Sequence, residues 1–133
     1  MATGRLVEMP GAEALWLLEG GKHGRLVLIR RGEPFVRPAV HIWTHGHLVV
    51  RTPVQATAVP STVTYQVDRF PAPSASGWSI SVTGPATEIT EPHEAAHYRR
   101  ALDGWVHGPH DTLLRITPQT LTGFRLAPGD AGP

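Results

Sequence analysis

The chain has 133 residues, enough for one domain with a single core, and its 12 Lys and Arg against 11 Asp and Glu leave a net charge of +1. That balance argues against a general nucleic-acid or anionic-membrane binder, and the absence of cysteine excludes disulfides, thiolate zinc sites and cysteine nucleophiles. No apolar run approaches the ~18 residues of a transmembrane helix, and the first residues lack the apolar core of a secretory signal, so a cytoplasmic protein is expected.

Glycine (14) and proline (13) make up about a fifth of the chain and fall between short apolar runs, which points to many turns and a mostly β fold. Residues 1–10 carry little pattern and read as a loose arm. Residues 13–19, EALWLLE, set Ala14, Leu17 and Leu18 on one helical stripe with Trp16 beside it, and Gly20-Gly21 ends the helix. Residues 24–30 are a near-continuous apolar strand that turns at 31–34. In residues 36–43, Val36, Pro38, Val40 and Ile42 point one way and Arg37, Ala39, His41 and Trp43 the other, the alternation of a strand. His45-Gly46 supplies a hairpin turn, and Leu48 to Val50 lead a second strand into Arg51-Thr52, where Pro53 stops it. Residues 53–61 form a connector with room for one helical turn.

Residues 62–70 alternate Val63, Tyr65 and Val67 against polar partners, a strand with one wet face. Residues 78–90 read as a further strand with a bulge or bend at Gly84-Pro85. Thr90 then caps a helix over 91–102 that carries Pro92 in its first turn, with Ala95, Tyr98, Ala101 and Leu102 as its apolar stripe and Gly104 closing it. A loop over 103–111 holds Trp105, and residues 112–116 and 121–126 form the last strand or pair, divided at Pro118. About six strands with one or two helices fit a small closed barrel, without internal repeats or a domain boundary.

A planar guanidinium beside a hydroxyl suits a phosphate, so Arg51 and Thr52 are candidates, with Gln55 and Thr57 within reach of the same point. The run HEAAH matches the H-E-x-x-H zinc pattern, in which His93 and His97 share a helix face and Glu94 acts as general base. Against a zinc-dependent hydrolase, Arg100 stands where such enzymes need glycine, and the pattern opens a short helix. No metal site is therefore assigned. His41, His45 and His47 read as surface or ligand-lining histidines, His41 being the one placed to touch a ligand. Trp78 and Trp105 each follow a glycine, where a flat ring can cover a flat ligand. No phosphate-binding glycine loop or nucleophile elbow is present. No side chain is an obvious acid or base, and none is assigned as catalytic.

Seven segments in order, GRLVLIRRGEPFVRPAV, HGHLVVRT, YQVD, GWSISVTGPA, TEPHEAAHYRRAL, GWVHGPHD and LLRITPQTLTGFRL, span about residues 13–127. Together the chain resembles the pyridoxamine 5′-phosphate oxidase-like, FMN-binding split-barrel family, in its branch of small actinobacterial-type members. The resemblance implies a six-stranded split β-barrel as one domain over 1–133, with loose termini at 1–10 and 128–133. It also implies a homodimer with FMN in the grooves between subunits and a small-molecule substrate. Pro38, Ala39, Val40 and His41 would flank the flavin ring, Arg51 and Thr52, with Thr57 nearby, would meet its phosphate, and Trp78 and Trp105 would approach from the partner's side. One departure stands out: Gln55, Ala56 and Thr57 occupy positions where members that hold FMN well carry glycine, a small hydroxyl residue and lysine. His110 likewise stands where a basic residue is common. Each charged hydrogen bond lost costs ~1.5–3 kcal/mol, so weak FMN binding, another flavin or deazaflavin, or none, is implied. Two functions follow, a flavin-dependent oxidoreductase and a non-catalytic barrel that binds a small molecule.

Overall fold

The computed structural model describes residues 4–71, 76–103 and 110–127. In chain order these form β1 (Arg5–Glu8), α1 (Gly11–Gly20), β2 (His23–Arg30), β3 (Glu33–Thr44), β4 (His47–Thr52), a 3-10 turn (Ala56–Ala58), β5 (Thr62–Arg69), β6 (Trp78–Glu88), α2 (Pro92–Ala101), β7 (Thr112–Ile116) and β8 (Thr120–Ala127). Two tight turns build the first meander. Arg31 and Gly32 join β2 to β3, and His45 and Gly46 join β3 to β4, all four with positive φ, the geometry whose twist matches paired strands.

Six strands close a barrel in the order β6-β5-β2-β3-β4-β7, with β7 returning to β6 through Ala86↔Ile116 and Glu88↔Leu114. The first half of β6, Trp78 to Thr83, pairs instead with β8, and β1 extends that wing. The switch falls at Gly84. Any Cβ there would collide with the carbonyl oxygen of Thr117, so only glycine lets the β7–β8 corner cross the strand. The bend expected at Gly84-Pro85 is thus a continuous strand that changes partner.

Leu26, Leu28, Leu48, Val50, Tyr65, Ile80, Val82, Leu114 and Ile116 fill the barrel, and Ala14 and Leu18 of α1 join the same core. A second cluster lies outside it, where Val40, Val49 and Leu113 pack with Ile89, Ala95 and Leu102. The stripe expected on α2 therefore holds at Ala95 and Leu102, whereas Ala101 is exposed.

Two further expectations are corrected. Residues 5–8 are not a loose arm, because β8 offers them a paired edge. The cap of α2 is Glu91, not Thr90: its longer carboxylate accepts from the backbone N–H groups of His93 and Glu94 at 3.0 and 2.7 Å. Gly104, the expected helix stop, lies outside the described residues, and Leu102 is the C-terminal cap. Among the described residues no helix is long and apolar enough to cross a membrane.

Candidate functional site

Successive residues of a strand face opposite ways, and this separates the two expected phosphate groups. Thr52 points inward, fully buried, and its hydroxyl donates to the Pro38 carbonyl at 3.0 Å. Arg51 points outward, yet its side chain is only 14% exposed. Its Nε and Nη2 grip Asp111 as a fork at 2.9 and 2.8 Å, while Nη1 donates to the carbonyls of Leu102 and Arg99 at 2.9 and 3.2 Å. Arg99 adds two bonds of its own to Asp111. The hydrogen bonds from Arg51 hold the Asp111 carboxyl below its ordinary value, and the same bonds raise the Arg51 guanidinium. The open fork expected at this strand end is corrected to an internal clamp. It ties β4 to the last turn of α2, whose orphan carbonyls it satisfies.

The run at Pro38 to His41 is likewise mostly sealed. Ala39 faces the barrel interior and Val40 the α2 cluster, at 0% and 5% exposure, and only Pro38 is open. His41 is 3% exposed, so the expectation that it lines a ligand surface is corrected. Its Nε2 lies 3.0 Å from the Leu18 carbonyl and its Nδ1 2.5 Å from the Tyr65 hydroxyl. A carbonyl can only accept, so Nε2 carries the proton and Nδ1 accepts from tyrosine. Burial lowers the His41 pKa from 6.5, partly offset by the Leu18 carbonyl, and burial also raises the Tyr65 phenol. The stability this neutral pair contributes is present above pH 6.5 and is lost as pH falls toward the lowered folded value. Tyr65→Phe leaves Nδ1 without a donor inside the barrel and is expected to cost about 1–3 kcal/mol in urea unfolding. An unchanged midpoint would deny the pair this role.

Elsewhere Thr57 is exposed on the 3-10 turn, and Trp105 lies outside the described residues. Trp78 is half-buried in a cleft of about 760 Å³ between the end of α1 and the ends of β5 and β6. Trp16, Leu17, Lys22, His23, Asp68 and Arg69 share its lining. The H-E-x-x-H spacing yields two exposed imidazoles on α2, with Glu94 turned onto Arg115 at 2.9 Å. No group of three metal-ligating side chains forms among the described residues.

A model of the pyridoxamine 5′-phosphate oxidase family matches residues 10–128. The chain belongs to that family. The uncharacterized protein Rv0080 of Mycobacterium tuberculosis (strain ATCC 25618 / H37Rv) is 37% identical over 130 residues, covering 91% of this chain and 86% of that protein. A FAD-binding protein from Mesorhizobium loti is 19% identical, covers 94% of this chain and 99% of its own, and has a TM-score of 0.75. The FAD-binding protein from Mycobacterium smegmatis is 22% identical over 90% of this chain and 97% of its own, with a TM-score of 0.71. Both likenesses concern the fold, the split barrel of the pyridoxamine 5′-phosphate oxidase family.

Within this family member, sequence reasoning brought out Arg51 but not its partner Asp111, 60 residues away, which no local pattern marks. It also passed over Trp16, Lys22 and Arg69. Trp16 sat beside the helical stripe, and that offset was the available signal for a ring left facing the cleft.

Proposed function

We propose that this protein is a flavin-binding oxidoreductase that acts in the cytoplasm on a small-molecule substrate, as a homodimer with the ring held in the seam between copies. Family membership across the whole barrel carries the reading, and the two FAD-binding proteins of like fold favour a flavin. An exposed apolar strip on the outer face of β2 and β3 adds support. Ile29 is 62% and Val36 50% exposed, with Pro34 and Pro38 beside them on β3, a surface suited to a flat ring or a second barrel.

The phosphate end does not fit. Arg51 spends its fork on Asp111, the Thr52 hydroxyl faces inward, and Gln55 and Thr57 offer only neutral groups. Affinity must therefore come from the ring, the electron-carrying chemistry being the flavin's own. Titration with riboflavin, FMN, FAD and a deazaflavin, followed by absorbance and fluorescence, tests this. Riboflavin and FMN are expected to bind within about threefold of each other, since Arg51 is spent on Asp111 and Gln55 and Thr57 bring no charge to the phosphate. FMN favoured by a hundredfold would restore a phosphate anchor, and no binding of any flavin would favour the second function. That second function is a non-catalytic small-molecule barrel, and the Arg51–Asp111 clamp is the observation in its favour.

A further inference from the structure

His41 holds the corner between α1 and β2 at two points. Its backbone N–H donates to the Lys22 carbonyl at 2.9 Å, and its Nε2–H donates to the Leu18 carbonyl at 3.0 Å. Gly21 N–H closes the same corner onto Leu18 at 3.2 Å. The imidazole itself is sealed, with the Tyr65 ring edge-on at 5.0 Å. From this arrangement we infer that His41 is a proton-operated latch: uptake of a second proton by the imidazole releases the α1–β2 corner while the barrel stays folded.

The two ring nitrogens set the chemistry. Nε2 already spends its proton on Leu18, so an incoming one must go to Nδ1, which accepts from the Tyr65 hydroxyl at 2.5 Å. Two donors then meet at one contact, and the hydroxyl has to turn so that its own proton loses this acceptor. Neither nitrogen meets a carboxylate that would offset the buried charge. The groups around the ring come from each element packed on it. From α1 come Leu18 and an exposed Glu19, from the turn an exposed Lys22, and from β2 His23, whose charge opposes a second one on His41. From β5 comes Tyr65, and β4 sets apolar Val50 in register with His41.

Burial is the larger cause that lowers the His41 pKa from 6.5. A corner opened to water restores the ordinary value, so the open form gains population as pH falls below 6.5. The corner is the part that yields. Glu19, Gly20 and Lys22 are already exposed and bury no apolar side chain, whereas every strand of the closed barrel is paired on both sides. Gly20, Gly21 and Lys22 also line the cleft of about 760 Å³, so release widens that cleft, and the latch does not depend on what the cleft holds.

The test is amide hydrogen exchange of the full chain, followed by proton–nitrogen NMR and corrected for the intrinsic rate at each pH. Protection at Gly21 and His41, whose N–H groups close the corner, is expected to fall about tenfold or more between neutral pH and about pH 5. Asp111 stays charged over that range, because its carboxyl titrates below its ordinary value. In about 1 M urea the corner amides should change by less than about twofold, the mark of a local opening, while Val82 in the barrel core loses protection. His41→Gln keeps a donor toward Leu18 on a side chain that cannot titrate, and should hold corner protection within about twofold across the same pH range. Long-range proton–nitrogen spectra of the wild-type imidazole are the second measurement. They should show the Nε2–H tautomer at neutral pH and a second proton arriving in step with the loss of protection. Corner protection that ignores pH, a corner that follows urea as Val82 does, a His41→Gln chain that keeps the pH dependence, or an imidazole charged while the corner stays shut would each overturn the latch.

Discussion

Arg51→Ala is expected to lower the unfolding free energy by about 3–5 kcal/mol, among the largest effects of any single substitution in this chain. The Arg51 side chain is only 14% exposed, and its guanidinium makes four hydrogen bonds, two to Asp111 and two to carbonyls at the end of α2. Its removal strands a partly buried carboxylate with Arg99 alone and frees two helix-end acceptors. Chemical denaturation of wild type and variant measures the loss. An apolar replacement of both partners, Arg51→Met with Asp111→Leu, should recover more than half of it, because no carboxylate is then stranded and Arg99, itself 39% exposed, keeps its bond to the backbone carbonyl of residue 111.

The same pair fixes a pH dependence. Asp111 titrates below its ordinary value in the folded chain, chiefly through its hydrogen bonds from Arg51. Its contribution is therefore complete at neutral pH and is lost as pH falls below about 4. In the Arg51 variant that acid slope should flatten. A variant as stable as wild type would show that the clamp is ornamental.

Gly84→Ala comes next, with an expected loss of about 3 kcal/mol or more. The added methyl meets backbone, the Thr117 carbonyl, which has no rotamer by which to retreat. Thr117 N–H bonds to Pro85 and Gln119 N–H to Thr83, at 3.0 and 2.9 Å, so the corner is pinned from both sides. Gly20→Ala is the matched control. Nothing lies within 4 Å of a Cβ there and its φ is not positive, so its thermal midpoint should stay close to wild type. Equal midpoints for the two variants would disprove the steric account.

Much of the barrel was legible because its signals are local. The β3–β4 hairpin follows from alternation plus His45-Gly46, and β5 from Val63, Tyr65 and Val67. Which side of β3 faces inward was not legible. At residues 39–41 both sides are covered, by the barrel core on one and by the α2 cluster on the other, so alternation of polarity carries no direction. His41 consequently looked like a surface group. The β1 strand escaped notice because four residues hold no pattern of their own and order only against β8. Arg51 was identified as important from its position at a strand end, but whether it serves a ligand or the fold depends on Asp111, which arrives from a distant part of the chain.

The divided allegiance of β6 has a last consequence. One strand hydrogen-bonds to β5 along most of its length, to β8 with its first half and to β7 with its second, so barrel and wing have a member in common. Opening of the wing bares one edge of β6 while β5 still holds the other, so β6 is expected to surrender its amide protons last and β1 and β8 before it.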